Sequence, residues 1–165
     1  EEEKYKKARE IGFRAIQALG LQTGMTHMEW FCRPDGSIAV GEIGARPPGA
    51  QISEITGFIH GFSTHQTWAE LMVYNRLNIP TKRKQAAAVV FLRGIGQGKV
   101  YKIEGLDEAQ QKMGSLVCDV SMPQIGQPKS STYEGEGWVI IHGQDTEEVK
   151  MAALELIRTV RIHYR

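Results

Sequence analysis

The chain has 165 residues, 41% of them hydrophobic and 24% charged, with 20 basic against 19 acidic side chains. That composition suits a soluble globular protein with a real core. The near-zero net charge argues against nucleic acid or an acidic membrane surface as partner, and no apolar run approaches the roughly 20 residues of a membrane span. Two widely separated cysteines, Cys32 and Cys118, form no metal motif and favour a reduced, cytoplasmic setting. The charged opening, Glu1-Glu2-Glu3-Lys4, is unlike a signal peptide and reads as the start of a fragment or processed piece.

Residues 1–19 carry apolar side chains near helical spacing (Ala8, Ile11, Ala15, Ile16, Leu19). Glu1 to Glu3 suit the positive end of the dipole, and Gly20 is placed to cap the other. Strands are predicted over 23–33 and 37–44, joined by the turn Pro34-Asp35-Gly36 into a hairpin. Arg46-Pro47-Pro48-Gly49 interrupts regular pairing and reads as a loop. A short helix over 51–57 and a longer one over 62–77 follow, the latter with Trp68, Leu71 and Met72 on one side. A basic linker, 81–85, leads to a different texture, and a boundary is placed at 83/84. Beyond it, strands are predicted over 86–92, 99–103, 116–120 and 138–142, separated by glycine-rich turns. A helix over 146–159 and a last strand over 161–164 complete the chain. The expected class is α+β: an antiparallel sheet with helices over 1–83, then a small β-rich domain with a C-terminal helix over 84–165.

The hairpin holds the most informative residues. If Asp35-Gly36 is a two-residue tip, Arg33 faces Ile38, Phe31 faces Val40 and Glu29 faces Glu42. Two carboxylates directly opposite on one sheet face repel unless a positive charge lies between them. Mg²⁺ takes oxygen ligands of this kind, commonly one or two carboxylates with phosphate oxygens. Phe31 shares the face of Glu29 and is placed to lie against a base. Arg46 follows on the loop, with a guanidinium fork suited to phosphate. If instead Pro34-Asp35 forms a type I turn with Gly36 as a bulge, every pairing moves by one, and Glu29 and Glu42 fall on opposite faces. Two solvated glutamates of no function are the plain alternative.

Thr26-His27-Met28-Glu29, a hairpin turn, then Glu42-Ile43-Gly44-Ala45-Arg46-Pro47 and a glycine-containing loop resemble the metal-binding hairpin of the ATP-grasp superfamily. Ile55-Thr56-Gly57, the helix from Phe62 to Ala69 and the segments Ala86–Gly94 and Gly98-Lys99-Val100 are similar to its purine-biosynthesis branch, with carbamoyl-phosphate-synthase-like proteins nearby. The resemblance implies the C-terminal half of a ligase. ATP phosphorylates a small carboxylate substrate, and an amine or similar nucleophile displaces phosphate. Glu29 and Glu42 are then the metal ligands for Mg²⁺ (or Mn²⁺), Arg46 the catalytic contact to phosphate, and Phe31 the neighbour of adenine. The family's lysines and glycine-rich loop are expected in an N-terminal half of the same polypeptide, so the fragment alone is expected to be inactive. Two departures stand out. Gly44 occupies the position of the family's usual Asn, and Pro48 the position of a His in the purine enzymes. A degenerate, non-catalytic nucleotide-binding or interaction module is the competing reading, and a homo-oligomer is left open.

Other signals carry less. Gly94–Val100 lacks the spacing of a phosphate loop and precedes a strand. His60 and His65 do not share a helical face. His27 shares the face of Glu29, and Cys32 points away from it. Asp145, Glu147 and Glu148 read as a helix N-terminus.

Overall fold

In the computed structural model residues 3–165 are described, the side chain of Lys4 excepted, so Glu1 and Glu2 and their expected dipole contacts lie outside the described residues. Two compact units are present, residues 1–49 with 63–79, and residues 50–62 with 80–165. The class is mixed α and β, with antiparallel sheets and, among the described residues, five α-helices. Among the described residues no helix is long and apolar enough to cross a membrane.

The first unit begins with α1 (Glu3–Ala18). Gly20, with φ +73°, ends it as expected: its amide donates to Gln17 O at 3.1 Å and that of Leu21 to Ile16 O at 3.3 Å. This is the double bond pattern of a left-handed C-terminal cap. β1 (His27–Cys32) and β2 (Ile38–Gly44) form the expected hairpin. α1 lies against it: Tyr5 meets Trp30 edge-on at 5.9 Å, and the Met28 side chain fills the space beside Gly12. α3 (Thr64–Tyr74) is shorter than the predicted 62–77. The Ser63 side chain caps it from Gln66 N at 3.3 Å, and Asn75 ends it in the left-handed region. Its buried residues are Thr64 and Thr67, whereas Met72, assigned to the packed side from spacing, is 55% exposed.

The second unit is built on a three-stranded sheet in the order β3 (Ala86–Leu92), β6 (Gly137–Gly143), β5 (Val117–Ser121), antiparallel throughout. Strand alternation sends Val90, Leu92, Val139 and Ile141 to one face, where Val149, Ala152 and Leu156 of α5 (Thr146–Thr159) complete a core with Ala109, Met113, Val100 and Ile162. Ile140 points to the other face and is fully buried. α2 (Ile52–His60) contacts β3 and β6, with Ser53 and Gly57 buried. β4 (Val100–Glu104) pairs with β7 (Arg161–Tyr164) in a separate ribbon. α5 starts as the acidic cluster predicts. Asp145 accepts from Glu148 N at 2.9 Å, and Glu148 reaches back to Gln144 N at 2.6 Å. The glycine-rich stretch 94–99 is a turn before a strand, as expected.

One element corrects the sequence reading. Residues 106–113, taken there as part of a turn region, form α4 (Leu106–Met113). Its start has no side-chain cap; Gly105 enters at φ +81°. Its hold is tertiary: Ala109 and Met113 are buried, and Lys112 bridges Glu108 at 2.7 Å and Glu155 of α5 at 2.8 Å. Those carboxylates, Glu108 first, raise the Lys112 ammonium above its ordinary value.

Two measurements check this packing. Ile141, fully buried on the central strand, is expected to cost about 3 kcal/mol when cut to alanine, read from the urea unfolding midpoint. At the hairpin tip the Ser37 hydrogen bonds hold the Asp35 carboxyl below its ordinary 3.8. A depressed folded value contributes stability above that pH, lost as pH falls through the folded value. Asp35→Ala is therefore expected to weaken the hairpin at neutral pH, and its difference from the parent protein is expected to shrink as pH falls through the folded carboxyl's titration.

Candidate functional site: a carboxylate pair on the hairpin

The hairpin tip adopts the bulged alternative. Gly36 N donates to Arg33 O at 2.9 Å, Arg33 N to Ser37 O at 2.8 Å, and Gly36 has φ +77°. Accordingly Cys32 pairs with Ile38, Phe31 with Ala39 and Trp30 with Val40. Arg33–Ile38 and Phe31–Val40, the pairings of the two-residue tip, do not form. A second irregularity between Glu29 and Trp30 then leaves Gly41 as an extra residue on β2, and Glu29 pairs with Glu42 after all. Met28 with Ile43 and His27 with Gly44 continue that register. Both offsets considered from sequence therefore occur, one on each side of Gly41.

The consequence is a sorting of side chains by face. Met28, Trp30 and Ile43 share one face, the side on which Met28 and Trp30 meet α1. His27, Glu29, Phe31 and Glu42 share the other. Glu29 and Glu42 are exposed, and Phe31 is 63% exposed. Neither glutamate has an ion pair or hydrogen-bond partner among the described residues. Arg46, exposed on the following loop, donates from Nη1 to Pro47 O at 2.9 Å, and its other N–H groups have no hydrogen-bond partner among the described residues. A Cβ at Gly44 would lie 3.7 Å from Arg46 Cγ and 3.8 Å from its Nε, so the arginine stem rests beside the glycine.

Two juxtaposed carboxylates without a cation between them fit a divalent ion. Among the described residues no group of three or more His, Cys, Asp or Glu side chains is placed to hold a metal. A pair of this kind has two ligands to offer at most, and a Mg²⁺ ion held by two carboxylates takes its remaining ligands from phosphate or water. Cys32 is exposed on the opposite face, and Cys32 and Cys118 are both free thiols. Burial, with the Asp119 charge second, raises the Cys118 thiol above its ordinary value. His60 and His65 lie on different helices. Gly41, which sets the register at Glu42, escaped the sequence reading; a lone glycine inside a strand pattern was the available signal.

No protein-family model and no curated protein matches the sequence. Solved structures do match the fold. The L-amino acid ligase of Bacillus licheniformis aligns over 100% of this chain and 42% of its own, with TM-score 0.81 and 23% identity. The N5-carboxyaminoimidazole ribonucleotide synthetase of Thermotoga maritima aligns over 100% and 44%, at 0.69 and 24%. The phosphoribosylglycinamide synthetase of Anaerococcus prevotii aligns over 98% and 42%, at 0.72 and 13%. The chain shares the fold of the corresponding part of these proteins, a fragment of the ATP-grasp fold, and spans less than half the length of each.

Gly44 offers a direct probe of the site. A Cβ there meets only the Arg46 side chain, at ordinary contact distance, and its φ is not positive, so Gly44→Asn is expected to be accepted with the arginine stem adjusting, and it adds an amide oxygen on the carboxylate face. Mn²⁺ binding, followed by paramagnetic broadening of Glu29 and Glu42 resonances, is expected to tighten in Gly44→Asn. It is expected to fall about tenfold or more in Glu42→Gln. Equal Mn²⁺ affinity in all three proteins would remove the metal from this hairpin.

Proposed function

We propose that this chain is part of an ATP- and Mg²⁺-dependent ligase that joins a carboxylate to an amine or similar nucleophile through an acyl-phosphate. The observation that carries the reading is the Glu29–Glu42 pair, directly opposite on an exposed face and unneutralised. The shared fold supports it, since the structures aligned above are described as a ligase and two synthetases.

In this reading Glu29 and Glu42 hold Mg²⁺ (or Mn²⁺), whose charge offsets the negative charge that develops on the phosphate oxygens during transfer. Arg46 presents its remaining N–H groups to the transferred phosphoryl or the acyl-phosphate. Phe31, a large ring in solvent beside the carboxylates, offers a face for the adenine base. The N-terminal part expected from the resemblance brings the lysines and loop that close over the phosphates. Pro47-Pro48-Gly49 lines the approach to the acid; the rigid prolines fix its shape. Gly44 in place of an amide ligand favours a second reading, a chain that binds nucleotide without turnover.

The deciding assay is ADP release by the longer polypeptide proposed to carry this chain, with Mg²⁺ and panels of carboxylic acids and amines. Acid-dependent release is expected, reduced about 100-fold or more by Arg46→Ala and abolished by Glu42→Gln. Nucleotide binding without release on any panel selects the binding module. Absence of both sinks the nucleotide reading altogether.

A further inference from the structure

The proposed metal site uses two glutamates that a continuous register would have separated. From the tip, Cys32–Ile38, Phe31–Ala39 and Trp30–Val40 follow one offset. Carried on without interruption, that offset sets Gly41 opposite Glu29 and Glu42 opposite Met28. Glu42 would then lie on the face where Met28 and Trp30 meet α1. A carboxylate there would be held against apolar side chains and lost to the metal. The extra residue at Gly41 prevents this by turning Glu42 to the face of Glu29.

Gly41 does not have a positive φ, so its backbone makes no demand that only glycine meets. The demand is for space. A Cβ at position 41 would lie 2.8 Å from Cε2 and 3.6 Å from Cδ2 of Phe31. The Cδ2–Cε2 side of the Phe31 ring therefore occupies the space beside Gly41. Phe31 belongs to the same face as both glutamates and flanks Glu29 along β1. A bulge is a local defect that can migrate along a strand when nothing pins it. A ring resting on the bulged residue is such a pin.

We infer that Gly41 and Phe31 act as one positioning device for the carboxylate pair: the bulge at Gly41 turns Glu42 toward Glu29, and the Phe31 ring lying on Gly41 keeps the bulge there. The device rests on the proposed metal site for its consequence in binding, and on the hairpin geometry alone for its consequence in register. Any side chain at position 41 displaces the ring. Loss of the ring frees the bulge. Both changes reach the metal through the same intermediate, the alignment of Glu29 with Glu42, so their effects overlap.

The test uses the 165-residue chain as wild type, Gly41→Ala, Phe31→Leu, the double substitution and Phe31→Tyr. NMR reads three quantities: the ring-current shift of the Gly41 α-protons, the cross-strand contacts of residue 42, and Mn²⁺ affinity without nucleotide. The wild type is expected to show Gly41 α-protons displaced by the Phe31 ring current, a displacement lost in Phe31→Leu, and contacts from residue 42 to residue 29. Each single substitution is expected to mix in contacts from residue 42 to residue 28 and to weaken Mn²⁺ binding roughly tenfold. The double substitution is expected to weaken it no further, because neighbours acting through one alignment are not additive. Phe31→Tyr retains the ring and is expected to match the wild type in all three. Unchanged signals from α1, with the Tyr5–Trp30 ring contact retained, show that the first unit of each variant is folded. Unshifted Gly41 α-protons in the wild type, a register indifferent to both substitutions, or additive losses of affinity would each overturn the device. If the wild type binds no Mn²⁺, the metal reading fails by itself, and the ring shift and register still decide the positioning role.

Discussion

Strand parity is the constraint on which the candidate site depends. Successive side chains of a strand point to opposite faces, so a displacement of one residue moves a whole row from one face to the other. The hairpin must send Met28, Trp30 and Ile43 toward the α1 side and yet leave both Glu29 and Glu42 outside. The bulged tip at Gly36 sets a register that fails this for Glu42, and the second bulge at Gly41 restores it. Two local defects of opposite consequence thus leave the apolar row intact and place the acids together.

The site that results is open. Directly opposed carboxylates destabilise a sheet by up to about 1 kcal/mol, and nothing among the described residues neutralises them. Exposure softens that repulsion, since charges in water interact weakly. An arrangement of this kind is poor as a structural feature and good as half of a metal site, where an incoming cation and phosphate complete the charge balance. The loop residues agree with that reading. Among the described residues Arg46 has one donor engaged, by the neighbouring Pro47 carbonyl, and its stem lies beside Gly44.

The second unit follows a different logic. Its central strand β6 buries Val139, Ile140 and Ile141 on both faces, and such continuous apolar runs are easy to read as buried strands. The same is true of α5, where an Asp145 cap and period-four apolar residues agree, and of β3 and β7. α4 was not legible because its signals are weak one by one. It has a glycine rather than a capping side chain at its start, only two buried residues, and an ion pair whose second acid lies 43 residues further along the chain. Met72 failed for the converse reason. Helical spacing named a face for it, but α3 turns Thr64 and Thr67 inward instead.

The sequence by itself determined the elements with strong local codes: the hairpin with its Pro-Asp-Gly tip, the capped helices, the alternating strands and the presence of two acids and an arginine at a spacing resembling the ATP-grasp hairpin. Those properties reside in dihedral preferences and periodicities that span a few residues. Only the tertiary structure decided that Glu29 and Glu42 meet. That outcome required α1 to claim one face of the hairpin and Phe31 to settle on Gly41, and both are contacts between residues whose identities say nothing of their partners. Register is a choice among alternatives of nearly equal local energy, and it is packing against the rest of the fold that breaks the tie.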